Sequence, residues 1–94
     1  GYSLPESRIA NNEETLELVA EFVRDIRQAG PNLLVITTAI GAAQRVALML
    51  DRISWPEVVG TVSGDDTIFV ATTSTASQRR LGARLRDALK ITAI

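Results

Sequence analysis

The chain has 94 residues, a net charge of −1, and neither cysteine nor histidine. That length fits one domain, and the missing residue types exclude disulfides, thiolate nucleophiles, the usual zinc sites and Ser-His triads. Hydrophobic residues make up 46% of the chain but aromatic ones only 4%, an aliphatic surplus that predicts burial against other copies, while the near-neutral charge offers no general attraction to nucleic acid.

Residues 1–12 are polar, contain Pro5 and show no periodicity, and they read as a linker remnant or disordered leader. From Glu13 onward Leu16, Val19, Val23 and Ile26 recur at helical spacing, yet Phe22 to Arg27 also partly alternates before the turn signal Gly30-Pro31-Asn32. One long helix, or a helix followed by a strand, both satisfy these positions. Leu33 to Thr38 is a short apolar, β-branched run and predicts a strand covered on both faces. A small domain lays helices on one face only, so the other face predicts a subunit contact.

Gly41 to Ile53 has the clearest helical pattern. Ala42, Val46, Met49, Leu50 and Ile53 form its expected core stripe, and Gln44 and Asp51 lie opposite, about 10 Å apart along the axis. Ala47 and Leu48 stand between them, the composition of a ligand-binding or subunit-contact face. Pro56 stops the helix from continuing, and Trp55 beside it caps the core or an interface.

Gly60 to Phe69 reads as a tight hairpin, with a strand from Val58 to Ser63, Gly64 supplying a positive φ, and a second strand from Thr67 to Thr73. Its tip carries Asp65 and Asp66. Thr61, Ser63 and Asp65 share one strand face by period two, opposite Gly60 and Val62. After candidate N-caps in Ser74 to Ser77, a final helix to about Lys90 places Leu81, Leu85, Ala88 and Leu89 on one stripe, with Arg79, Arg80, Arg84, Arg86 and Lys90 elsewhere. Such a basic cluster without interleaved aromatics is more often a charged outer face than a nucleic-acid surface. Ile91 to Ile94 reads as an apolar tail.

Gly41-Ala42-Ala43-Gln44, then Leu50-Asp51, then Gly60-Thr61-Val62-Ser63-Gly64-Asp65-Asp66-Thr67-Ile68-Phe69 together resemble the C-terminal domain of the bacterial arginine repressor family. The resemblance covers about Phe22 to Leu89 and departs at Ile40, where family members often have proline. It implies an α+β two-layer sandwich, a four-stranded antiparallel sheet with two helices on one face in the order ββαββα. On that reading Glu21 to Gln28 becomes a strand, preceded by a short extra helix over Glu13 to Ala20.

The resemblance further implies that residues 13–94 form an arginine-sensing and oligomerisation domain, a trimer that doubles into a hexamer, with L-arginine held at the trimer junction as corepressor. Asp65 and Asp66 match the acidic pair that receives the ligand. Gln44, Asp51, Thr61 and Ser63 match positions around its head group and the pocket wall, and Ala47 and Leu48 fall at the oligomer interface. Operator DNA would be bound by an N-terminal domain that these 94 residues do not supply. No cofactor, metal or catalytic residue is implied.

Two other functions compete with the sensor: a purely structural oligomeriser with a solvated Asp65-Asp66 turn, and an enzyme using the two carboxylates as acid and base. The second lacks a phosphate-cradling loop and a partner base. No run approaches the roughly 18 apolar residues of a membrane span, and no secretory signal opens the chain, so a cytoplasmic location without membrane contact is expected.

Overall fold

A computed structural model describes residues 19–89. Four strands, β1 (Val23–Gln28), β2 (Leu33–Thr38), β3 (Val58–Ser63) and β4 (Thr67–Thr72), form one sheet in the order β1-β2-β4-β3, every neighbouring pair antiparallel. Helix α1 (Ala43–Ile53) crosses from β2 to β3, and α2 (Thr75–Leu89) follows β4. The expected α+β sandwich is the observed one. Of the expected short helix over Glu13 to Ala20, only Val19 and Ala20 lie among the described residues, and both are helical. Lys90 and the tail beyond it lie outside them.

Both helices cover the same sheet face. Ile26, Leu34, Ile36, Ile68 and Val70 project from the strands to meet Val46 and Leu50 of α1 and Leu81, Leu85 and Leu89 of α2 in one buried cluster. Leu34, Ile36, Ile68, Leu81 and Leu85 are fully inaccessible, and truncating a side chain in such a site costs about 2–5 kcal/mol. Strand β2 alternates half-buried Leu33, Val35 and Thr37 with buried Leu34, Ile36 and Thr38. Within one chain it is therefore fully covered on the helix side only.

Two bulges adjust the sheet edges. One lies between Val23 and Asp25 of β1 and the other between Val58 and Gly60 of β3. The strand begins at Val23 rather than at the expected Glu21 because Glu21 and Phe22 form a turn, where Phe22 N–H donates to the Val19 carbonyl at 3.0 Å. After the second, Thr61 and Ser63 come into register with Val70 and Ile68 on the helix side, while Val62 opposes Phe69 on the open face. The period-two reading of Thr61 and Ser63 thus holds.

Helix α2 begins at Thr75, where Ser74 Oγ accepts the Ser77 N–H at 3.1 Å, the bond of an N-cap to the third helical residue. Its polar residues are largely engaged inside the chain. Gln78 is only 1% exposed, and its amide donates to the carbonyls of Gly30 and Leu33, both at 2.8 Å, tying α2 to the β1–β2 turn. Arg86 donates to the Ile26 carbonyl at 3.1 Å. Arg80 and Arg84 flank the buried carboxylate of Glu57 at 3.7 and 3.5 Å, and Arg84 also lies over the Trp55 ring at 4.8 Å. The basic cluster is in large part the outer layer of this packing, and half-buried Trp55 sits against the core.

Candidate functional site

Helix α1 runs beside β3, and the hairpin tip closes over the helix entrance. The Asp65 carbonyl accepts two main-chain N–H groups, from Gly41 at 3.1 Å and Ala43 at 3.2 Å, and the Asp66 carbonyl accepts Thr38 N–H at 2.8 Å. Helix α1 has no side-chain cap at Ala42, so the Asp65 carbonyl satisfies the Ala43 amide, which would otherwise be orphaned at the first turn. The hairpin is itself closed by Gly64 N–H to the Thr67 carbonyl at 2.8 Å. These bonds occupy the tip's main chain and leave the Asp65 and Asp66 side chains exposed.

Gly64 does not supply the positive φ expected of it. The left-handed glycines are Gly41, at φ +83°, and Gly30, at φ +75°. The helix accordingly starts at Ala43 instead of Gly41, because Gly41 belongs to the turn that meets the tip. Sequence reasoning placed this residue inside the helix and missed its role. The dipeptide Ile40-Gly41 after a strand end was the available turn signal.

At the far end of α1, the Asp51 Oδ1 accepts the Thr61 hydroxyl at 3.0 Å, joining helix to strand. Ser63 is half-buried one strand repeat further toward the tip, and Gln44 is exposed in the first helical turn. Gln44, Asp51, Thr61, Ser63, Asp65 and Asp66 therefore line one ledge along the α1–β3 seam. Direct contact is limited to the Asp51–Thr61 pair. A groove of about 310 Å³ opens beside Asp51, between Ser54, Trp55 and Val59, and the tip carboxylates are not part of its wall. Among the described residues, Asp51, Asp65 and Asp66 form no ion pair, and no group of acidic side chains is arranged to hold a metal ion.

Ala47 requires a correction. It is 5% exposed and belongs to the chain's own core, as does Ala43 at 0%, so it cannot stand on the outer face beside Leu48. The buried arc of α1 is rotated by roughly 60° from the stripe expected around Met49, since successive residues advance by about 100°. Two alanines one turn apart let the helix approach β3 closely, which leaves Met49 and Ile53 only half-buried. Leu48, at 47% exposure, remains on the outer face with Gln44 and Asp51.

The family described as "Arginine repressor, C-terminal domain" matches residues 19–87. Curated relatives named arginine repressor include that of Koribacter versatilis, 45% identical over 93% of this chain and 61% of its own length. The relative from Caldicellulosiruptor bescii is 42% identical over 87% of this chain and 52% of its own length, and that of Thermus thermophilus is 46% identical over 82% and 48%. The chain thus spans about half to three fifths of these relatives. Their name is that of a regulatory protein and not of an enzyme. With the four strands, the first helix and all but the last two residues of the second inside the matched range, the chain belongs to the arginine repressor C-terminal domain family.

Proposed function

We propose that this domain senses L-arginine and assembles into a hexamer, two trimers whose junction holds the amino acid. The observation that carries the reading is the pair of exposed carboxylates at a tip whose main chain is held by three hydrogen bonds. A guanidinium is a planar, permanently charged fork of donors, and carboxylates accept it through short, directional bonds. Gln44 and the Asp51–Thr61 pair offer acceptors for an α-ammonium along the same ledge. Since the ledge is open to solvent, a second subunit is needed to enclose a ligand there.

The open sheet face supports association. Val62 and Phe69, paired on that face, are 71% and 49% exposed, and Val59 at the β3 bulge is 66% exposed, large apolar side chains that contact with further copies would remove from water. Leu48 and the 85% exposed Ile40 add apolar surface on the α1 side of the sheet. Arginine contacting both trimers binds the hexamer better than free trimers and so shifts assembly toward the hexamer by that difference in affinity. Acidic pairs brought together at the junction repel one another, and bound guanidinium cations relieve the repulsion.

In a repressor of arginine metabolism this hexamer would present DNA-binding domains, lying outside these 94 residues, to operator DNA. The basic residues of α2 do not substitute for such domains, because Arg80, Arg84 and Arg86 are engaged by Glu57, Trp55 and Ile26. Calorimetric titration with L-arginine is expected to give a saturable heat, with citrulline much weaker because its side chain is uncharged. Sedimentation is expected to show a larger species with arginine than without. Absence of both responses leaves the structural oligomeriser as the better reading.

A further inference from the structure

The junction between the α1 entrance and the acidic tip depends on the conformation of Gly41. Ala42 N–H donates to the Ala39 carbonyl at 3.0 Å and Gly41 has φ +83°, so residues 39–42 have the form of a type II turn with Gly41 in third position. In that form the peptide joining Ile40 to Gly41 presents its N–H to the Asp65 carbonyl. A residue carrying a Cβ favours the type I alternative, in which this peptide is turned over. The N–H then leaves Asp65, and the Ile40 carbonyl swings toward the position it vacated, so that two acceptors face each other. Space is not the constraint, since nothing lies within 4 Å of a Cβ built at Gly41.

We infer that Gly41 is a positioning residue of the ligand site: its left-handed conformation aims the N–H that, with that of Ala43, holds the Asp65 carbonyl and sets where the two carboxylates stand relative to Gln44. The inference rests on the arginine-binding reading above. The Thr38 N–H to Asp66 bond comes from β2 and survives either turn form, so losing the Gly41 bond loosens the tip without detaching it.

Gly30 is a matched control. It too is left-handed, at φ +75°, and a Cβ there also meets nothing within 4 Å. It lies in the β1–β2 turn, at the opposite end of β2 from the tip, about 20 Å away at the strand rise per residue. L-arginine is titrated calorimetrically into the wild type, Gly41→Ala, Gly41→Asn and Gly30→Ala, with a thermal melt of each. The two alanine variants are expected to lose similar amounts of melting temperature. Gly41→Ala is expected to weaken arginine on the order of tenfold, and Gly30→Ala by less than about twofold. Gly41→Asn should keep most of the affinity, because asparagine tolerates the left-handed region.

Wild-type affinity in Gly41→Ala, or equal weakening in Gly30→Ala, overturns the inference while leaving the binding reading in place. Should Gly41→Ala not fold, Gly41→Ser replaces it: weaker binding than Gly41→Asn supports the role, and equal binding overturns it. No saturable heat in the wild type itself defeats the binding reading and this inference together.

Discussion

The two helices treat their polar side chains in opposite ways. Around α2, Gln78 is inaccessible and satisfied by two carbonyls, Arg86 reaches the main chain of β1, and Glu57 lies buried between Arg80 and Arg84, compensated by their charge although its Oε1 makes no hydrogen bond. Around α1, Gln44 and Asp51 are exposed, the nearby tip carboxylates point to solvent, and the contacts that hold the region together are mostly main-chain bonds from Thr38, Gly41 and Ala43. A polar group that is buried must be satisfied inside the fold, so the α2 side bears on stability. A polar group left exposed on a main-chain frame can be altered at little cost to the fold, and the α1 side is where a ligand can be recognised.

This contrast is open to attack from both sides. The largest stability effect is expected from Gln78→Leu, which leaves the Gly30 carbonyl without its donor and the Leu33 carbonyl with the Ala29 N–H alone. A loss of about 1–3 kcal/mol follows from the usual penalty for a buried unsatisfied group. A denaturant melt reads it, and arginine affinity in the folded fraction should be unchanged. A melt indistinguishable from wild type would remove α2 from its stabilising role.

Asp66→Asn is the converse experiment. Its melting temperature should stay within about 2 °C of the wild type, because a surface substitution outside a packed or buried network shifts stability by roughly 0.5 kcal/mol or less. Arginine affinity should fall by about 1.5–3 kcal/mol, the worth of a hydrogen bond to a charged group. Unchanged affinity in calorimetry would show that the carboxylate at this turn is not the guanidinium's partner.

The smallest effect sharpens the description of the turn. Ile40 occupies the second position of the type II turn, where proline is common because its fixed φ suits that place. Ile40→Pro is expected to stabilise the domain by about 0.4–1 kcal/mol through the unfolded chain, raising the melting temperature by several degrees. Lower stability would mean that the backbone at residue 40 departs from the type II form.

Much of this architecture was legible in the residues. The hairpin strands were placed to within a residue, since β-branched runs on either side of Gly64-Asp65-Asp66 admit few other arrangements. The segment before β2 was not decided by periodicity, because Val19, Val23 and Ile26 satisfy a helix and a helix-strand break alike. The resemblance to a family resolved it, and Val23–Gln28 is a strand. The expected α1 face lies about 60° from the buried one, because a helical wheel weighs large aliphatics and cannot show that Ala43 and Ala47 are buried in the core. Gln78 and Glu57 escaped notice for a related reason: polar residues at the ends of such segments are usually solvated, and their burial depends on what packs above them.

What the sequence determined by itself is local: the kind and order of the elements from Leu33 onward, the acidic turn, and which polar residues share a helix or strand face. Hydrophobic period and turn chemistry act over a few residues, and they can be counted along the chain. The tertiary structure alone decided that the left-handed glycine of the site is Gly41 and not Gly64, and that the tip's carbonyl, not a side chain, caps α1. Those outcomes depend on where Asp65 meets a helix start far earlier in the chain, a contact set by the packing of the whole sheet against α1.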